Sequence, residues 1–201
     1  MKLNKYINSQ KLFLRAQNVI PLASQTFSKS YISFPANQSP LFLTHGKGGY
    51  VWDVDGNKYI DLVNGLLPNI LGYDDKDVLK AVKNQLTKGV TFSLPTEIEI
   101  ILSELLVDII PCAEKVRFGK NGSDVTSAAI RIARSFTKKK RIAVCGYHGW
   151  QDWYIAANIG NKKNLNNQLL TGLSSSGVPR ALNKSAIPFN YNDKKDFLEK
   201  F

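Results

Sequence analysis

Residues 118–126 read Phe118-Gly119-Lys120-Asn121-Gly122-Ser123-Asp124-Val125-Thr126, and their surroundings decide the fold. Val116-Arg117-Phe118 predicts a short strand, Gly119 to Ser123 a turn, Asp124 to Phe136 a helix, and Arg141 to Cys145 a second strand. Strand, glycine turn, helix, strand is the order of an α/β layer with parallel strands and right-handed crossovers. The same turn has chemical meaning. A helix start leaves backbone N–H groups without partners and carries the positive dipole end, which suits a phosphate. Gly122 permits close approach, and the Ser123 hydroxyl adds a donor. A purely local reading competes, in which Asn121 or Ser123 simply caps the helix. Neither GxxxxGK followed by Ser or Thr nor GxGxxG is present, so a Walker loop and a dinucleotide fingerprint are excluded.

The second strand runs into Cys145-Gly146-Tyr147-His148-Gly149-Trp150. Ligands of open α/β sheets gather at the carboxyl ends of strands, which puts Tyr147 and His148 on the rim shared with Gly122-Ser123. An aromatic ring beside a phosphate-binding helix start suits a flat phosphorylated heteroaromatic cofactor, stacked on one face. Tyr147 also reads as a packed or capping aromatic, and His148 as a hydrogen-bonded structural residue.

Outward from this rim the chain is organised in short elements. Helical spacing runs from Tyr6 to Val19 and ends before Pro21, and an irregular arm follows to Pro40. The β runs Leu41–Thr44, Tyr50–Asp53 and Lys58–Asp61 come next, the last two flanking Val54-Asp55-Gly56-Asn57, a hairpin signal. Val78, Leu79, Val82 and Leu86 recur at helical spacing, with Gly89 placed to cap the end. Thr96 and Glu99 form a capping box for a second helix that carries Ile98, Ile101, Leu102, Leu105, Leu106 and Ile109 up to Pro111. Beyond Trp150 a polar stretch extends through Gly177, followed by a strand at Ala186–Phe189 and a helix start at Asn192-Asp193.

Composition narrows the class. Of 201 residues, 43% are hydrophobic and 21% charged, which fits a soluble globular protein and not a disordered, collagen-like or coiled-coil chain. Arg15 interrupts the apolar Leu12-Phe13-Leu14, and no uncharged apolar run reaches membrane-spanning length, so a cytoplasmic protein without signal or membrane contact is expected. Cys112 and Cys145 lack CxxC spacing and histidines at ligand intervals, which predicts free, mostly packing thiols and no metal site. The net charge of +11 suggests an anionic ligand or nucleic acid. Its clusters, Lys138-Lys139-Lys140-Arg141, Lys162-Lys163 and Lys194-Lys195, lack interleaved aromatics and read as solvated surface, not as a nucleic-acid groove.

Several ordered runs carry a resemblance. Pro40–Leu43, Val51–Asp61, Phe92–Glu97, Val116–Phe118 with Asn121-Gly122-Ser123, Ala129–Arg134 and Tyr147-His148-Gly149 resemble class III aminotransferases dependent on pyridoxal 5'-phosphate. Their spacing is most similar to the glutamate-1-semialdehyde 2,1-aminomutase branch, and the likeness covers nearly the whole chain. The resemblance implies part of a fold type I large α/β domain over residues 65–201. It also implies an N-terminal arm and an α+β small-domain segment over residues 1–64. It makes Asn121, Gly122 and Ser123 the phosphate turn, Tyr147 the ring-stacking aromatic and His148 a support for cofactor position. A homodimer, an amino donor and a carbonyl acceptor are implied for the full-length protein. Leu66 stands where the aminomutase branch has an aromatic substrate-pocket residue. Trp150 and Trp153 look more like class III relatives associated with surface polysaccharides, so glutamate-1-semialdehyde-like and polysaccharide-pathway substrates both stay open. The Schiff-base lysine and the aspartate on the pyridine nitrogen lie downstream of these residues in the family. The expectation is therefore the N-terminal portion of an enzyme, inactive by itself. The rival is a non-catalytic truncated paralogue or a basic anion-binding module.

Overall fold

The hairpin around Asp55-Gly56 forms as its sequence predicts. Residues 5–201 are described by the structure, a computed structural model, and Met1–Asn4 of the N-terminal arm lie outside the described residues. Three strands, β1 (Leu43–Lys47), β2 (Tyr50–Asp53) and β3 (Lys58–Ile60), pair antiparallel in the order β1-β2-β3, with Val51 opposite Tyr59 and Gly46 opposite Val51. Gly56 turns the chain at φ +82°, a conformation glycine adopts without penalty. Asp53, 1% exposed, holds the turn from inside. Its carboxylate accepts from the N–H groups of Asp55 (3.0 Å) and Asn57 (2.8 Å), from Asn57 Nδ2 (2.8 Å) and from the Tyr59 hydroxyl (2.9 Å).

The first helix, α1 (Ile7–Gln17), has Tyr6 at its N-cap position and no capping side chain of its own there. Asp55 supplies the cap from the hairpin: Oδ1 accepts from Asn8 N–H (2.7 Å) and Oδ2 from Ser9 N–H (2.9 Å). A carboxylate at the positive end of a helix is favourable, and this one also fastens α1 to the sheet. Phe13, Ala16 and Ala23 form the local core, with Leu41 and Phe42 packed against them. Further along, Asp75 caps α2 (Lys76–Leu86) by accepting from Asp77 and Val78 N–H. These elements belong to a first compact unit that ends at Pro95.

Two carboxylates give this unit a defined acid response. Burial pushes the Asp53 carboxyl up, but the bonds from Asn57, Tyr59 and Asp55 outweigh it and hold it below its ordinary 3.8. The Tyr73 hydroxyl does the same for Asp61, against opposing burial and with help from Val63 and Gly65 N–H. Because both are lowered on folding, their contribution is present above about pH 4 and is lost as pH falls through the folded values. Urea unfolding at pH 7 and pH 3 is expected to show a large loss of stability in acid, with the gap narrowed in Asp53→Asn. An unchanged gap would remove Asp53 from this account.

The second unit, residues 96–201, begins with α3 (Glu97–Ile109). Its capping box is in place, Thr96 N–H donating to Glu99 Oε1 at 3.1 Å. The strand expected at Val116–Phe118 is not formed; the chain there is irregular. Extended backbone becomes a strand only by sharing its N–H and C=O groups with a neighbour, and among the described residues β4 (Ile142–Val144) pairs only with β5 (Ala186–Pro188). That pair is parallel, Ile142 opposite Ala186 and Val144 opposite Pro188, as the α/β reading requires. The glycine turn leads into α4 (Gly122–Thr137), and α6 (Lys194–Lys200) starts at a capping Asp193.

The largest difference from the sequence reading lies between β4 and β5. The stretch after Trp150, read as polar, contains the short helix α5 (Asp152–Ile155) and most of the core: Trp153, Tyr154, Ile155, Ala157 and Leu165, closing on Val144 and Ala186. Its polar residues are themselves buried. Asn158, 0% exposed, accepts from Leu165 N–H (3.0 Å) and donates to Leu173 C=O (2.7 Å). Of the two thiols Cys112 is exposed and Cys145 half-buried, so only the second has a packing role. Among the described residues no helix is long and apolar enough to cross a membrane.

Candidate functional site

Asn121 occupies the N-cap position of α4 in extended conformation, but its side chain makes no capping bond. Nδ2 donates instead to Asp124 Oδ2 (3.3 Å), so the purely capping reading of Asn121 is not realised. The N–H groups of Gly122 and Ser123 are thereby left without side-chain cover, whereas those of Asp124 and Val125 donate to Asn121 C=O at 3.0 and 3.3 Å. A Cβ added at Gly122 would meet nothing within 4 Å, so the space beside the first residue of the helix is open.

Facing this helix start is the turn after β4. Thr126 Oγ1 lies 3.1 Å from Ser123 C=O and 3.2 Å from His148 C=O, linking the first turn of α4 to the Tyr147-His148-Gly149 turn. Gly149 is buried at φ +108°. A Cβ there would collide with Ser123 Oγ and Gln151 Oε1, so only glycine lets the two segments meet. Gln151 Oε1 is buried without a hydrogen-bond partner, an acceptor on the same wall. The structure thus brings Asn121, Gly122, Ser123, Tyr147 and His148 to one rim of the second unit. Leu66 belongs to the first unit, in a turn at φ +71°.

The rim is stiffened from below. His148 Nε2 is 2.7 Å from Cys145 C=O, which makes Nε2 the protonated nitrogen of the neutral ring and fixes its direction. Tyr147 is 37% exposed and presents its ring edge-on to Tyr154, centroids 5.9 Å apart. Tyr154 is fully buried, and its hydroxyl donates to Gly146 C=O at 2.9 Å. Burial first, and the neighbouring Tyr147 second, push the Tyr154 phenol up to about 12, so it remains a donor at any physiological pH. Trp153 Nε1 donates to Ser127 Oγ (3.2 Å), which donates to Ser123 C=O (2.9 Å), carrying the α5 packing into the first turn of α4.

Gln168 is the residue that sequence reasoning missed most completely. Buried at 8% exposure, it accepts from Gly146 N–H through Oε1 and donates from Nε2 to Phe189 C=O (3.2 Å). Gly146 follows β4 and Phe189 follows β5, so one carboxamide clamps the carboxyl ends of both strands. No periodicity marks it, because its neighbours Asn166, Asn167 and Leu169 give it no pattern. Tyr154 had a faint signal in lying seven residues after a tyrosine beside a glycine turn, too common an arrangement to single it out.

The sequence pattern of the family described as Aminotransferase class-III matches residues 31–200. A 3-aminobutyryl-CoA aminotransferase from Cloacimonas acidaminovorans is 38% identical over 94% of this chain and 42% of its own length. A glutamate-1-semialdehyde 2,1-aminomutase from Listeria innocua is 38% identical over 95% of this chain and 43% of its own. Among solved structures, a transaminase with PLP bound superposes with a TM-score of 0.80 at 27% identity, covering 99% of this chain and 44% of that one. The chain therefore spans less than half the length of the proteins it matches.

Proposed function

Because the chain belongs to the class-III aminotransferase family, we propose that it forms the cofactor-cradling portion of a pyridoxal-phosphate-dependent aminotransferase or aminomutase. Its α/β layer is part of the fold type I arrangement of that family. The observation that carries the reading is the Thr126 bridge, which fixes an uncovered helix start and an aromatic-bearing turn as one wall. The residues fit the group: open space beside Gly122 and a glycine-only approach at 149 that brings the Tyr147 turn up to Ser123.

In this reading the N–H groups of Gly122 and Ser123 and the Ser123 hydroxyl hold the phosphate, and the helix dipole favours its charge. Tyr147 covers one face of the ring, and the edge-on contact with buried Tyr154 keeps its own ring from swinging away. His148, committed through Nε2 to Cys145 C=O, positions the turn and is not a free proton shuttle. Pyridoxal phosphate supplies, when bound, the electron-withdrawing ring that lets a proton leave the carbon bearing the substrate nitrogen. In this reading none of these residues takes that proton. Leu66 is the proposed substrate-pocket position. Substrates of the whole protein are an amino donor and a carbonyl acceptor of the glutamate-1-semialdehyde or polysaccharide-pathway kind. A homodimer is the proposed assembly, supported by apolar side chains of α3 left open to solvent, among them Ile98, Ile101 and Leu105, each more than half exposed.

Pyridoxine 5'-phosphate, which has no aldehyde to react with surface lysines, is the test ligand. It is expected to bind the 201-residue chain weakly and saturably, at least tenfold tighter than pyridoxine, and about five- to tenfold less tightly in Tyr147→Ala, the worth of one stacking contact. Equal binding of the two ligands, or an unaffected Tyr147→Ala, would overturn the assignment. No transamination by this chain alone is expected, and measurable turnover would contradict this reading.

A further inference from the structure

From Val125 to Asn192 the sequence holds ten lysines and arginines and a single acid, Asp152. The fold gathers four of those cations around two cavities beside the β4–β5 pair, which adjoin through shared Ile159, Gly160 and Asn183. One, about 540 Å³, has Arg141 and Lys184 in its wall, and the other, about 570 Å³, has Lys162 and Arg180. Neither wall contains an aspartate or a glutamate. Among the described residues the ion pairs are confined to α6 and the cation–ring contacts to Lys5 and Lys58, so these four side chains have neither a carboxylate nor a ring as partner. The basic runs Lys138–Arg141 and Lys162-Lys163, which read as solvated surface in the sequence, thus each give one member to a shared groove.

The two lobes are alike in the chemistry they accept. Each presents one guanidinium fork and one ammonium, a pair of positive charges. A phosphate group carries about 1.5 to 2 negative charges at pH 7 and matches such a pair, whereas a carboxylate carries one and would leave a cation unmatched. Between the lobes lie only the neutral Ile159, Gly160 and Asn183, so two phosphates bound at once must be spaced by a neutral linker. We infer that this double cavity is a second ligand site for a small molecule with a phosphate group at each end. One phosphate lies at Arg141 and Lys184, the other at Lys162 and Arg180, and the linker passes Asn183. The site is distinct from the α4 rim. Arg141 and Lys184 stand ahead of β4 and β5, at the amino ends of the parallel pair, whereas the rim lies past the carboxyl end of β4. The other polar side chains of the connection are bonded to its own backbone and hold the groove in shape. Asn158 ties Leu165 and Leu173, Asn164 Nδ2 donates to Ala157 C=O (2.7 Å), Asn161 Oδ1 accepts from Lys163 N–H (3.0 Å), and Ser175 Oγ donates to Asn158 C=O (3.3 Å). A groove held open in this way loses little conformational freedom when it fills.

Fructose 1,6-bisphosphate, fructose 6-phosphate, pyrophosphate and a short DNA duplex are the probes, titrated calorimetrically into the 201-residue chain at low and moderate salt. The bisphosphate is expected to bind saturably, at least tenfold tighter than fructose 6-phosphate because its second phosphate is already tethered, and to weaken as salt rises. Pyrophosphate, whose phosphorus atoms share one oxygen, cannot reach both lobes and stays at the level of the monophosphate. Arg141→Gln in one lobe and Arg180→Gln in the other, both at exposed positions, are each expected to weaken the bisphosphate about fivefold with the circular dichroism spectrum unchanged. Lys139→Gln, in the basic run outside both cavities, leaves its binding unaltered. Pyridoxine 5'-phosphate competes with the bisphosphate no better than fructose 6-phosphate does, which keeps this site separate from the α4 rim. No saturable bisphosphate binding up to millimolar concentration overturns the proposal. A monophosphate or pyrophosphate bound as tightly as the bisphosphate overturns it by removing the two-lobe geometry. Equal loss in all three variants, or a DNA duplex bound as tightly at moderate salt, overturns it by making the patch a general polyanion surface. Stronger competition by pyridoxine 5'-phosphate overturns it by placing the anion at the α4 rim.

Discussion

Gly149→Ala is expected to cost the second unit about 2–4 kcal/mol and to abolish measurable pyridoxine 5'-phosphate binding. Two effects add. The backbone at φ +108° is one that side chains with a Cβ rarely adopt, worth about 1–3 kcal/mol. The added methyl group would also collide with Ser123 Oγ and Gln151 Oε1, driving the Tyr147 turn away from α4. Gly146→Ala separates the two effects, because its φ of +88° is also left-handed but a Cβ there meets nothing within 4 Å. It should lose the backbone part, about 1–2 kcal/mol, and keep most of the binding. Urea titrations followed by Trp150 and Trp153 fluorescence in a Trp52→Phe background read the second unit alone. If both alanine variants lose the same stability and the same affinity, the collision at Ser123 has no consequence.

Gln168→Leu is the second large effect, about 2–4 kcal/mol. The substitution keeps an apolar body of similar reach but strips the acceptor from Gly146 N–H and the donor from Phe189 C=O, leaving two backbone groups unpaired in a buried place at about 1–3 kcal/mol each. Gln168 is itself only 8% exposed, so its side chain shields both groups from solvent on its own side. The loss should also show as faster amide exchange at Gly146 and Val144, where the clamp holds the end of β4. A cost below about 1 kcal/mol would mean that the strand ends are held by the β4–β5 ladder and not by this side chain.

Local chemistry was legible wherever the decisive partners are close in sequence. The capping box of α3 needs only Thr96 and Glu99, three residues apart, and the hairpin needs only Asp55-Gly56 between two β runs; both formed as read. The α4 start was legible for the same reason, since Gly122-Ser123 and the helix that follows are contiguous. Val116–Phe118 failed because a strand is a property of two segments, and composition at one of them says nothing of whether the other is present.

The stretch after Trp150 failed for a different reason. Asn158, Gln168 and Asn164 look like surface residues by type, yet they act inside as hydrogen-bond partners for backbone that turns irregularly around α5. Polar side chains that satisfy buried backbone are invisible to a hydrophobicity pattern, which counts them against burial. The site was half legible on the same principle. Gly122, Ser123, Tyr147 and His148 lie on contiguous motifs, whereas the wall beneath them is assembled from Thr126, Ser127, Trp153, Tyr154 and Gln168, whose partners are eight to twenty-six residues away.

Hairpin tips are ordinarily where a chain is most forgiving of inserted or exchanged residues. The tip at Asp55-Gly56-Asn57 has lost that tolerance. Asp55 is committed to the start of a helix 46 and 47 positions earlier, Gly56 to a left-handed backbone, and Asn57 to a buried carboxylate through both its backbone and its amide. Three consecutive residues each answer to a different part of the molecule. A tag, a cleavage site or a circular-permutation break placed there would sever the arm from the sheet, although the position lies at the end of a two-strand loop.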